Sequence, residues 1–212
     1  ARRAALAAKL DSGVALFLGN EEAPLNYRDN HYPFWQDASF RYFWGLDEAG
    51  LAAILDFDSG EETLYGHEPS LDDIVWTGPL PSLAERGARI GVGDCRDRGR
   101  LASDVRAILD SGREVHVLPP YRADSRLELG RLLDCAPAAV DERLSEPLAR
   151  AVIDLRAAKE PREVEEIERA LEVSFETHTT AMRATRPGRF EWEIVREVEA
   201  CHARHGSAAS FR

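Results

Sequence analysis

Residues 51–65 read LAAILDFDSGEETLY. An almost unbroken apolar run, 51–57, meets Asp58-Ser59-Gly60 and then a shorter segment, 62–65. An apolar run of this length suits a buried strand, and the glycine-closed turn suits a hairpin to a second strand. Upstream, residues 13–19 (GVALFLG) form a similar run between two glycines. Downstream, residues 89–92 (RIGV) and 114–118 (EVHVL), the latter stopped by Pro119-Pro120, read as further strands. Helical segments lie between and around them: 2–10, 80–87, 97–111 and 124–134. The third of these puts Leu101, Val105, Ile108 and Leu109 on one face, and Gly112 stands where a helix-ending glycine belongs. Strands alternating with helices predict an α/β domain with a mixed β-sheet flanked by helices, spanning residues 1–143.

The C-terminal third has no strand signal. Leu148, Val152 and Leu155 mark a linker helix within 144–160. Pro161 then favours the first turn of a new helix, whose stripe is Val164, Ile167, Leu171, Phe175, His178 and Met182. Pro187-Gly188 stops it, and a further helix follows with Ile194, Val198 and Cys201 on one face, up to Gly206. Two helices with one apolar stripe each do not build a core. Residues 161–212 therefore read as an incomplete second domain that another stretch of polypeptide completes.

The 212 residues carry 44% hydrophobic and 31% charged side chains, enough apolar material for a core. The net charge is −11, with 27 Lys+Arg against 38 Asp+Glu. Residues 145–212 hold 11 basic and 13 acidic side chains, so about −9 of the charge sits in the first 144 residues. An acidic chain repels phosphate backbones and anionic headgroups, which argues against nucleic acid and membrane as partners. No apolar run approaches the roughly 20 residues needed to span a bilayer. Cys95, Cys135 and Cys201 are an odd, widely spaced set, which argues against a disulfide framework or a zinc knuckle. A reducing cytoplasm and buried free thiols are the simplest reading.

Eight of the 17 aromatic residues fall within residues 27–44: Tyr27, Tyr32, Phe34, Trp35, Phe40, Tyr42, Phe43 and Trp44. Polar residues, among them Arg28, Asp29, His31, Gln36 and Arg41, interleave them. The stretch reads either as a packed loop plugging one end of the sheet or as a partner or substrate surface, and the two readings are compatible. Gly91-Val92-Gly93 is not a dinucleotide fingerprint, because the next glycine is Gly99 and Asp94 and Asp97 oppose phosphate. His202 and His205 with Glu199 lack the HExxH spacing and read as basic groups at a helix end. His178 reads as a core histidine. Glu163, Glu165, Glu166 and Glu168 read as a solvated helix face. Ser174 and Ser210 lack the GxSxG context of a nucleophile. No self-contained catalytic constellation emerges from the residues.

Three segments together resemble the aminopeptidase P (Xaa-Pro aminopeptidase) family, a relative of prolidase. They are NYRDNHYPFWQDASFRYFWG at 26–45, the Asp-Asp-Ile-x-Trp-x-Gly element at 72–78, and residues 156–206, with Arg-Pro-Gly at 186–188 and His-Gly at 205–206. Glu160 and Trp35 depart from the family pattern, which commonly has a capping Ser and an Arg there. The resemblance implies the creatinase/aminopeptidase P type of N-terminal domain, followed by the first helices of a truncated pita-bread α+β domain. It implies hydrolysis of the bond preceding proline in a proline-containing peptide, by an assembly that is a homodimer or homotetramer. It implies two divalent metal ions, manganese foremost, whose Asp, His and Glu ligands follow the His-Gly element. No metal ligand and no catalytic residue is therefore assigned to this chain, and the chain alone is expected to be inactive. Asp29 and Trp76 match family positions at the active-site mouth of a neighbouring subunit, where a carboxylate suits a free amine and an indole suits proline. Simple packing at a helix edge is the competing account of Trp76. A non-catalytic pita-bread relative that binds basic proteins and a creatinase-like amidinohydrolase are the alternative functions.

Overall fold

Alternation along three strands creates two cores on opposite faces of one sheet. The computed structural model describes residues 1–27 and 29–206; Arg28 and the segment holding Ser210 lie outside the described residues. The central strands are β1 (Val14–Leu18), β4 (Ala52–Asp56) and β5 (Glu62–Gly66). Ala15, Phe17, Ala53, Leu55 and Leu64 point to one face, while Val14, Leu16, Ala52, Ile54 and Tyr65 point to the other. A period of two in side-chain direction makes this division, and it explains why both faces need apolar residues.

Helices α1 (Arg2–Ala7), α2 (Ala38–Trp44), α4 (Leu83–Arg89) and α7 (Glu146–Ala157) cover the first face. They contribute Leu6, Phe40, Phe43, Trp44, Leu83, Leu148 and Val152. Helices α5 (Leu101–Asp110) and α6 (Ala123–Leu132) cover the second, with Leu101, Val105, Leu129 and Leu132. Each such side chain, fully buried, contributes about 1.5–3 kcal/mol of transfer free energy.

The five-stranded sheet has the order β6-β5-β4-β1-β7, with β6 at Asp94–Asp97 and β7 at Val115–Val117. β1 pairs antiparallel with β4, from Val14↔Asp56 to Leu18↔Ala52, and parallel with β7. β4 and β5 form the expected hairpin. In its turn, Asp56 Oδ1 accepts from the backbone N–H groups of Asp58 (2.9 Å) and Ser59 (3.1 Å). β5 pairs parallel with β6 at the edge.

Residues 89–92, expected as a strand, instead end a helix. Gly91 takes φ +76°, Gly91 N donates to Ala88 O (3.1 Å), and Val92 N donates to Gly87 O (2.9 Å). This pair of bonds is a Schellman closure of α4, with the glycine where a left-handed residue is required. The strand begins two residues later, in the polar sequence DCRD, whose charges suit an edge.

A two-stranded hairpin, β2 (Pro24–Tyr27) and β3 (Asn30–His31), and the short helix α3 (Leu71–Thr77) stand apart from the sheet. Ser70 caps α3 through a reciprocal box with Asp73.

The chain divides into two compact units, Ala1–Arg156 and Ala157–Arg212. The second contains α8 (Pro161–Ala184) and α9 (Glu191–Arg204), packed on each other. Its described buried residues are Thr177, Ala184 and Cys201. Leu171 is 62% and Phe175 74% exposed, so the α8 stripe has no cover among the described residues. His178 is exposed rather than in a core, because that stripe faces solvent. No described helix is long and apolar enough to cross a membrane.

Candidate substrate-mouth site

Gln36 organises the aromatic stretch. Its side chain is buried and forms bonds in three directions. Oε1 accepts from Asn20 N (2.7 Å) and Asp37 N (2.9 Å), and Nε2 donates to Glu48 O (2.7 Å). Asn20, also buried, donates from Nδ2 to Trp35 O (2.7 Å) and to the Tyr121 hydroxyl (2.8 Å). Asp37 caps α2 by accepting from Ser39 N and Phe40 N at 2.9 and 2.8 Å, and Gly45 ends the helix in the left-handed region. These bonds fix where the aromatic rings fall. Phe43 and Trp44 go inward against Phe17 and Phe40 stacks on Trp44, while Tyr27, Tyr32 and Trp35 are each more than half exposed. The stretch is thus partly a helix packed on one face of the sheet, rather than a loop plugging its end, and partly exposed surface.

Asp29 lies in the turn of the β2–β3 hairpin and is exposed. Trp76, on α3, is 86% exposed, and Leu71 and Val75 on the same helix are 81% and 78% exposed. Two separate projections of the first unit therefore carry the two residues the sequence singles out. Between hairpin base and α3 opens a cleft of about 810 Å³. Glu21, Glu48, Glu68, Asp73, His67 and Arg86 are among its lining residues. Arg86 is buried, pairs with Glu48 at 3.1 Å and donates to the His67 carbonyl. Burial raises the Glu21 carboxyl above its usual pKa, against the partial relief given by Arg98. An acidic cleft beside exposed aromatic side chains is suited to a cationic group. No local pattern announces this cleft, since its walls come from residues as far apart as Glu21 and Arg89.

Among the described residues, one group of three or more metal-type donors converges: Glu176, Cys201 and His205. A two-ion centre bridged by Asp, His and Glu needs more oxygen donors than this group has, so it does not fit that centre. His205 meets Glu176 on α8, while Glu199 pairs with Arg196 at 2.7 Å. The i,i+4 geometry of α9 could not have revealed the partner on α8. All three cysteines are free.

The family model described as aminopeptidase P, N-terminal domain, matches residues 1–118. The Xaa-Pro aminopeptidase of Escherichia coli (strain K12) is 24% identical over 214 residues, covering 97% of this chain and 48% of the relative. The human Xaa-Pro dipeptidase is 24% identical over 199 residues, covering 91% and 39%. A solved structure of E. coli aminopeptidase P, in its low-pH form, superposes with a TM-score of 0.79 at 25% identity, covering 97% of this chain and 48% of that one. Proline aminopeptidase P II from Yersinia pestis gives a TM-score of 0.80 at 23% identity and supports the fold. The chain spans about half the length, or less, of these relatives.

Proposed function

The chain belongs to the aminopeptidase P N-terminal domain family, and from that premise we propose that it forms the front part of a metal-dependent Xaa-Pro aminopeptidase or dipeptidase. The reaction is hydrolysis of the peptide bond preceding proline. The observation that carries this reading is alignment with named Xaa-Pro peptidases over more than nine-tenths of the chain. In this reading the two divalent ions, manganese foremost, are held by residues outside the matched half. The first unit shapes the mouth through which the peptide enters, in a homodimer or homotetramer located in the cytoplasm.

The exposed positions of Asp29 and Trp76 support that role. A side chain built for packing is buried; these two project from a hairpin turn and a short helix. Asp29 would attract the free amino terminus of the peptide, and Trp76 would lie against the proline ring or the residue after it.

The test uses the full-length enzyme loaded with manganese and an Xaa-Pro-Yaa peptide. Asp29→Ala is expected to raise KM about tenfold, equivalent to about 1.4 kcal/mol, with kcat and melting temperature unchanged. An unchanged KM with a lowered melting temperature would assign Asp29 to packing. Failure to cleave Xaa-Pro peptides while creatine is hydrolysed would replace the peptidase reading with the amidinohydrolase one.

A further inference from the structure

The helix pair α8–α9 brings three different donor types to one point. Cys201 and His205 stand four residues apart, so both project from the same side of the end of α9. Glu176 stands opposite on α8. One ligand atom from each, a carboxylate oxygen, a thiol sulfur and an imidazole nitrogen, lies within 4.8 Å of the others. We infer that Glu176, Cys201 and His205 form a binding site for one divalent ion of the zinc type, completed by water.

The donor chemistry selects the ion. Sulfur and imidazole nitrogen together favour zinc or its neighbours over magnesium, calcium or manganese, which prefer oxygen. A thiolate and a carboxylate offset the ion's double charge, and neutral imidazole adds none. Zinc bonds to these donors are about 2.0–2.3 Å long, so donor atoms within 4.8 Å of one another would close on the ion through small side-chain rotations.

Neighbouring groups on the same two helices hold the ligands. Arg204 donates to Glu176 Oε1 at 3.2 Å, which fixes the carboxylate plane and leaves Oε2 to the site. Oε2 now meets His205 Nε2 at 2.7 Å, a contact the ion would replace. Thr177, itself buried, places its hydroxyl 3.6 Å from Cys201 Sγ, a donor for a thiolate. Outer partners of this kind orient metal ligands and tune them. Cys201 is fully buried while His205 is exposed, so the site has an inner wall and an entry from solvent. On binding, the ion gains a sulfur bond and the Cys201 thiol gives up its proton to solvent.

Cobalt(II) is the probe, because a tetrahedral site with thiolate gives visible d–d bands and a near-ultraviolet sulfur-to-cobalt charge-transfer band. Titration of the reduced 212-residue chain is expected to saturate at one equivalent, and zinc to bleach the bands. Cys201→Ala is expected to abolish the charge-transfer band, and a Cys95→Ala/Cys135→Ala variant to retain it. Because Cys201 is buried and its replacement could loosen the helix pair, the deciding variant is His205→Gln at the exposed helix end. With unchanged helicity by circular dichroism, it is expected to weaken cobalt binding at least tenfold. The inference is overturned if no charge-transfer band forms, if the band depends on Cys95 or Cys135, or if His205→Gln binds cobalt as the parent does. None of these readouts involves peptidase activity, so the outcome is independent of the proposed function.

Discussion

Gly13 joins α1 to β1 with φ at +88°, and a Cβ added there would sit 2.7 Å from the Glu114 carbonyl oxygen. The left-handed backbone and the close approach of β7 each demand glycine. Gly13→Ala is therefore expected to cost more than the usual 1–2 kcal/mol of a left-handed alanine, read as a lowered urea midpoint with an unchanged slope. An unaltered midpoint would show that the crossing is slack. This requirement was half legible: a glycine before an apolar run announces a strand start, but the approach of residue 114 comes only from the parallel pairing of β1 with β7. Side-chain exposure was legible to the same degree. The run FRYFW could be read as containing core residues. Which rings stay outside depends on Gln36, whose three bonds reach residues 20, 37 and 48. His178 was misread because an apolar stripe predicts burial only where something covers it.

Among the elements, those carried by apolar periodicity were the readable ones. β1, β4, β5, β7 and the helices α5 to α9 follow runs or stripes in the sequence. The edge strand β6 is polar and is held by charge instead, so RIGV drew the strand assignment toward the wrong residues. Arg96 of β6 bonds Asp104 of α5 at 2.8 Å, and Tyr65 of β5 donates to the same carboxylate at 3.0 Å. At the other end of the sheet, Arg113 bonds Asp56 at 2.7 Å and also reaches Asp58. Burial alone would raise the pKa of Asp56. The hydrogen bonds from Arg113 and from the backbone N–H groups of Ser59 and Asp58 outweigh it, so the carboxyl titrates below its usual range. Asp104 is depressed in the same way, burial being outweighed by Arg96 and Tyr65. A carboxylate with a lowered folded-state pKa adds stability that is complete above its unfolded value of about 3.9 and is lost as pH falls through the folded value. Arg113→Leu is expected to lower the urea midpoint near pH 7 and to make the further loss on going to about pH 3 shallower than in the parent. Parallel pH profiles for parent and variant would assign the acid sensitivity to other carboxylates.

At the scale of the whole molecule, the two units differ in how they are held. The first has a sheet with a core on each face, and α7 belongs to it because Leu148, Ala151 and Val152 are buried in one of those cores. The second is a 24-residue and a 14-residue helix, whose described buried residues are three, with most of the α8 stripe open to solvent. Fixing each residue's backbone costs about 1–2 kcal/mol, and isolated helices are marginal without a packed apolar face. Burial in the second unit is too sparse to give it the cooperativity of the first. Urea unfolding of the chain is therefore expected to show two steps. Far-UV circular dichroism should fall first, as α8 and α9 melt. Tryptophan fluorescence should change later, because Trp44 is 1% exposed inside the first unit whereas Trp192 on α9 is 64% exposed and changes its surroundings little on unfolding. If the two signals superpose over the whole urea range, the chain unfolds as one cooperative body, and the second unit must draw its stability from contacts that its own burial does not account for.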